Sequence, residues 1–212
     1  GWDDVLPYFK KSEDQAAVPA DDLHGAGGEW RVERQRLSWE ILDAFQEAAA
    51  AAGIPKTDDF NRGDNEGCGY FHVNQRGGWR WNTSKAFLRP AENRSNLTVF
   101  TKAHVSRLVI EEGRASAIEL SLDGEPAQID VSREVVLSAG AIGSPHILQL
   151  SGIAAGAVLQ SHGIETVHDL PGVGENLQDH LQVRCAFKVQ GVKTLNEQAG
   201  SLFGKAKIGL EY

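Results

Sequence analysis

Residues 134–153 read EVVLSAGAIGSPHILQLSGI, and this stretch decides the fold. EVVLSAG reads as a continuously apolar strand, of the kind buried on both faces of a parallel sheet. Ala139 and Gly140 have almost no side chain, so another backbone or a flat ligand can approach closely there. Ser144 is placed to cap a helix, and Pro145 to take its first position, where a missing N–H costs nothing. Strand, glycine turn and helix start together predict the crevice in which open α/β sheets receive ligands. The unpaired N–H groups and dipole of such a helix suit an anionic pyrophosphate. The residues alone leave two readings open, a ligand contact and an ordinary strand-to-helix turn.

Upstream, residues 96–140 hold short β-branched runs punctuated by EEGR and LDGE, with Asp123–Gly124 suited to a tight two-residue hairpin turn. Earlier still, SWEILDAFQEAAAAAGIP (38–55) is the strongest helical pattern. Ile41, Leu42, Phe45, Ala48, Ala49 and Ala52 share one face, Ser38 is a candidate cap, and Gly53 and Pro55 end the helix. The opening residues predict an amphipathic helix with Trp2, Val5, Leu6 and Phe9 on one side. Residues 15–29 read as a loop, EWRVERQRL as a strand, and residues 57–88 as turns mixed with short aromatic strands. Downstream, AGAVLQSHG predicts a short helix closed by Gly163, and IETVHDL a short strand.

LPGVGENLQDH (170–180) looks like a phosphate loop but fails as one. A dinucleotide fingerprint needs a third glycine where Leu177 stands, and Glu175 would set a negative charge beside the phosphates. A glycine turn before a short helix is the better reading.

Composition narrows the function. The 212 residues are 41% hydrophobic and 24% charged, an ordinary globular balance, with a formal net charge of −8 that argues against nucleic acid as a partner. Cys68 and Cys185 form no CxxC pair, and Cys68 with His72 reads as a half-buried thiol beside a strand histidine rather than a metal site. No metal is expected. None of the seven histidines (24, 72, 104, 146, 162, 168 and 180) sits beside a nucleophile in a recognisable arrangement, and surface or structural roles are expected for them. His146 is expected in a first helical turn and His162 near a helix C-terminus. Trp79 and Trp81, with Tyr70 and Phe71, read either as core packing or as an apolar pocket wall. With no methionine in the sequence, both ends are expected to be cut from a longer protein.

The order of these segments resembles the middle of the glucose–methanol–choline (GMC) family of flavin oxidoreductases. WDDVLPYFKKSE (2–13), DDFNRGDNEGCGYF (58–71), RWNTSKAFLRPAENRSNLTVFTKAHVSRL (80–108), the 134–153 stretch and LPGVGENLQDHLQ (170–182) carry the likeness. It covers essentially the whole chain, residues 15–35 least, and the 134–153 stretch departs from the family's second signature pattern only after its last quoted residue, where Ala154 replaces the usual glycine. TLNEQAGSLFGKAKIGLEY (194–212) leans toward the choline dehydrogenase-like branch.

The resemblance implies a mixed α/β fold: part of an FAD-binding α/β domain and part of a substrate domain built on an antiparallel sheet. Residues 1–86 would be substrate-domain chain, 87–182 FAD-domain chain, and 183–212 a return to the substrate domain. It implies FAD as cofactor and oxidation of a small-molecule alcohol to an aldehyde by hydride transfer to the flavin, without naming the electron acceptor. Val105 matches a position whose backbone contacts the adenine end of FAD, and Ala139 and Gly140 match the close-approach turn beside the nucleotide. The family's phosphate fingerprint and its catalytic histidine match no residue here. The chain is therefore expected to carry no catalytic residue, to need the remaining N- and C-terminal parts of its enzyme, and to be inactive alone. A GMC-fold lyase with structural FAD and a non-catalytic module are the alternatives. A cytoplasmic or membrane-associated location is the expectation.

Overall fold

The computed structural model describes residues 1–211, which form two compact units: residues 1–97 with the stretch from Ala186 onward, and residues 98–185.

Unit 1 opens with helix α1 (Trp2–Ser12), whose acidic first turn (Asp3, Asp4) and basic last turn (Lys10, Lys11) both complement the helix dipole. Its apolar stripe brings the Trp2 and Phe9 rings into a stack at 6.3 Å. The chain passes into β1 (Glu13–Gln15), crosses a loop and returns as β2 (Trp30–Val32), parallel to β1. Helix α2 (Glu40–Ala51) follows, and its start corrects the expected cap. Trp39, in extended conformation, occupies the N-cap, and its carbonyl accepts from Leu42 and Asp43, so Ser38 lies outside the helix. At the other end the Ile54 N–H returns to the Ala49 carbonyl and Gly53 takes φ +91°, the expected glycine stop. A two-strand ribbon, β3 (Gln75–Arg76) and β4 (Trp79–Arg80), leads to one π-helical turn at Ser84–Leu88 and the short α3 (Arg89–Ala91).

Unit 2 is built on an antiparallel meander of β5 (Ala103–Glu111), β6 (Arg114–Leu122) and β7 (Glu125–Asp130). Both hairpins close through two-residue turns with positive φ at both positions, Glu112–Gly113 and Asp123–Gly124, which match the twist of the flanking strands. One face buries Leu108, Ala117 and Leu120. Helix α4 (Gly140–Leu150) packs on β5, followed by β8 (Ile153–Ala154), α5 (Gly156–Ser161) and β9 (His168–Asp169), the last parallel to β8. Ala154 and Leu159 are each 1% exposed and anchor this end. Beyond unit 2, in unit 1, Thr194 caps α6 (Leu195–Gln198) in a capping box with Glu197, and α7 (Leu202–Glu211) follows.

Three expectations are corrected in unit 2. Residues 134–138 form no strand, and Val136 is 77% exposed. A strand exists through its ladder partners, and among the described residues none pairs with this run. Helix α4 starts at Gly140 rather than after Ser144. Gly140, at φ +85°, turns the chain into the helix, and Ser144 Oγ reaches back to accept the Ala139 N–H at 3.0 Å. Pro145 and His146 thus fall in the second turn, not the first. Finally, residues 175–180 carry no helix after the 170–174 turn.

Among the described residues no helix is long and apolar enough to cross a membrane.

Candidate functional site

The turn at Ala139–Gly140 opens an 11-residue helix whose first N–H groups have no partner within the helix. Its first turn contains no acidic residue, so nothing of the helix's own opposes an anion there. Ala139 and Gly140 are both exposed. A Cβ built on Gly140 would meet nothing within 4 Å, so the glycine is there for its left-handed φ, and the space beside it is open. The helix that follows this turn starts earlier than the sequence pattern suggested.

Val105 lies half-buried on β5, next to a register shift between Val105 and Arg107. Such bulges re-aim neighbouring side chains and interrupt the ladder. Val105 and the Ala139–Gly140 turn are thus in the same unit, on the packed elements β5 and α4. The tie between these elements lies at the far end of α4, where buried Ser151 accepts the Leu108 N–H at 2.8 Å and donates to the Ile147 carbonyl at 2.6 Å.

Along the flank of α4 runs a cavity of about 380 Å³, with Ile142, Pro145 and His146 on one wall and Gly174, Glu175 and Leu177 on the other. The 170–177 turn therefore packs on α4. Gly174 takes φ +87°, a left-handed turn conformation that favours glycine, and lies beside the Gln149 side chain.

The aromatic cluster is engaged elsewhere. The Arg76 guanidinium sits 5.0 Å from the Trp81 ring centroid, and Trp81 Nε1–H donates to the Glu29 carbonyl at 2.8 Å. Tyr70 donates its hydroxyl to Asp43 at 2.7 Å, Phe71 packs on Phe60, and Trp79 is 75% exposed. Trp81 already carries a cation from its own chain.

Of the histidines, His162 occupies the C-cap of α5, as expected. His180 meets Asp179 through its backbone N–H rather than its ring. His72 has a buried Nε2 without a hydrogen-bond partner, and no group of three or more metal-ligating side chains gathers among the described residues. The histidine that sequence reasoning undervalued is His24. It is 4% exposed, with Nδ1 3.1 Å from both Glu13 carboxylate oxygens and Nε2 2.8 Å from Asp59. Burial alone would lower its pKa, but the two carboxylates outweigh burial and hold it above the ordinary value. Its partners lie 11 and 35 residues away along the chain, a separation that no local motif encodes.

This architecture has counterparts among known proteins. The GMC oxidoreductase family model matches residues 1–182. The chain is 40% identical over 218 aligned residues to an oxygen-dependent choline dehydrogenase of Photobacterium profundum, covering all of this chain and 38% of that protein. Among solved structures, a pyridoxine 4-oxidase from Mesorbium loti superposes with a TM-score of 0.74 at 32% identity, covering 81% of this chain and 34% of that one. An FAD-dependent oxidoreductase from Chaetomium thermophilum superposes at 0.77 with 27% identity, covering 84% and 33%. The chain belongs to the GMC oxidoreductase family, and it spans a little over a third of the length of the relatives it matches.

Proposed function

We propose that the chain is part of an FAD-dependent enzyme that oxidises an alcohol to an aldehyde, with choline-like alcohols as the substrate class. The observation that carries this reading is the open N-terminus of α4 at Ala139–Gly140, free of side-chain bulk and of acidic residues. The substrate class follows the name of the Photobacterium relative, and the cofactor that of the Chaetomium structure.

FAD fits the residues present. Gly140 leaves room for a close backbone approach, and the first N–H groups of α4 favour a phosphate. Ala139, Gly140 and Val105 would hold the nucleotide part of the cofactor. When bound, FAD supplies the two-electron acceptor for hydride from the alcohol carbon. This chain's own residues bind and orient: Ser144 fixes the entry to α4 through the Ala139 N–H, and Ser151 fixes its exit to β5. We assign no proton-abstracting role to any residue of the chain. Residues 87–182 are proposed as FAD-domain chain, with 1–86 and 183–212 as substrate-domain chain.

The test is anaerobic addition of choline to the complete enzyme. Loss of the oxidised-flavin absorbance supports alcohol oxidation. A flavin that stays oxidised with choline and with other primary alcohols contradicts it.

A further inference from the structure

Three segments of unit 1 converge on one buried imidazole. Glu13 of β1 faces His24 Nδ1 with both oxygens, and Asp59, from the turn after α2, faces Nε2. The backbone ties the same parts together. The Gly25 N–H donates to Glu13 Oε2 at 2.8 Å, the Gln15 N–H to the Gly25 carbonyl at 3.0 Å, and the Gly28 N–H to the Glu13 carbonyl at 3.0 Å. A side chain at Gly25 would collide with the Lys10 carbonyl, so the loop lies directly against the end of α1.

The other charges around the imidazole are few. Arg62 stands 3.8 Å from Asp59 and 2.5 Å from Asp21, Asp21 accepts the His24 N–H at 3.0 Å, and Lys10 Nζ donates to the Asp21 carbonyl. A neutral imidazole has one N–H and one lone pair. Between two carboxylates its lone pair must face one of them, whereas the imidazolium donates to both. The Asp59 side chain is 3% exposed and its contact is 2.8 Å; that of Glu13 is 17% exposed at 3.1 Å. The single remaining N–H therefore stays with Asp59, and the Glu13 side gives way.

We propose that His24 is a pH-sensitive clasp: when it loses its proton, the Glu13 bridge is released, the 21–28 loop is left on β1 through the hydrogen bonds of Gly25, Gln15 and Gly28 alone, and it opens more readily. The loop walls a groove of about 300 Å³, lined also by Trp2, Leu6, Phe9 and Trp30, and this groove opens with it. The pKa of His24 in the folded chain is raised above that of the unfolded chain, about 6.5. Its contribution to stability is therefore full below about pH 6.5 and is lost as pH rises through the folded-state value. The inference concerns unit 1 alone and stands apart from the cofactor reading.

Two measurements on the complete enzyme test it. With ¹⁵N-labelled histidine, the His24 ring nitrogens are expected to titrate above the ordinary imidazole value of about 6.5, both carrying protons below that titration. Hydrogen exchange of peptides covering residues 13–28, corrected for intrinsic rates, is expected to lose protection by up to about tenfold per pH unit from about pH 6.5 up to that titration and to level off above it. Peptides from β5 and β6 are expected to stay flat. His24→Gln is expected to abolish the pH dependence of residues 13–28. A His24 that titrates at or below the ordinary value of about 6.5, or a 13–28 profile that parallels β5–β6, overturns the clasp, as does a His24→Gln variant that keeps the pH dependence. The first two results come from the unaltered protein and decide the matter even if the variant does not fold.

Discussion

The side chains buried in the two compact units differ in kind. Unit 1 buries Gln15, His24, Asp59 and Gln75, with Ala49 and Ala86 as its buried apolar side chains among the described residues. Unit 2 buries Leu108, Ala117, Leu120, Ala154 and Leu159, with Ser151 as the polar exception. The long strands lie in one unit. Those of unit 1 run two or three residues, whereas unit 2 has β5 and β6 at nine each beside the two-residue β8 and β9. Short strands leave backbone groups unpaired, and unit 1 satisfies them with side chains. Gln75 donates to the Arg34 carbonyl at 2.8 Å, and Gln15 Oε1 accepts the Ala17 N–H at 2.8 Å. Unit 2 pairs its backbone in a ladder and leaves the interior to hydrocarbon. One unit is held by directional, charge-dependent contacts, the other by area removed from water.

Substitutions can break this contrast. His24→Leu leaves two carboxylates facing an apolar side chain, and the expected loss is about 4 kcal/mol in urea unfolding at about pH 6. The loss shrinks as pH rises through the folded-state pKa of His24. Leu159→Ala is expected to cost about 3 kcal/mol through the cavity it leaves, with no such pH dependence. Equal pH profiles for these two variants would dissolve the distinction between the units. Ser151→Ala strands the buried Leu108 N–H, and about 2 kcal/mol is expected from the same unfolding measurement. Arg107→Ala removes a two-pronged pair with Glu119 on the exposed face of the sheet. Its effect is expected to be the smallest of the four and to vanish at high salt.

The same contrast governs what could be read from the residues. The β6–β7 hairpin of unit 2 is legible because Asp123–Gly124 states its own turn, and α2 because its apolar period and Gly53 do. Thr194 and Glu197, three residues apart, also spell out a capping box locally. The run at 134–138 has a strand's composition but not its partners, and composition cannot supply a ladder. The start of α4 was misplaced because Ser144 and Pro145 make a plausible cap in one dimension. In three, Gly140 turns the chain earlier and Ser144 bonds backward. The His24 bridge was hidden for a different reason: it joins residues 13, 24 and 59, and only the packed chain brings them together. At the candidate cofactor turn the small residues were readable, while the helix that gives them meaning was not correctly bounded.

On the functional side, the proposed reading gives the cofactor turn to unit 2 and gives the His24 region of unit 1 no part in holding FAD. Hydrogen exchange of the complete enzyme, stripped of FAD and then reloaded, tests this most directly. The account predicts added protection on loading at residues 102–106 and 138–146, with residues 13–28 and 57–62 unchanged. Added protection at 13–28 and 57–62, with 102–106 and 138–146 unchanged, would contradict it.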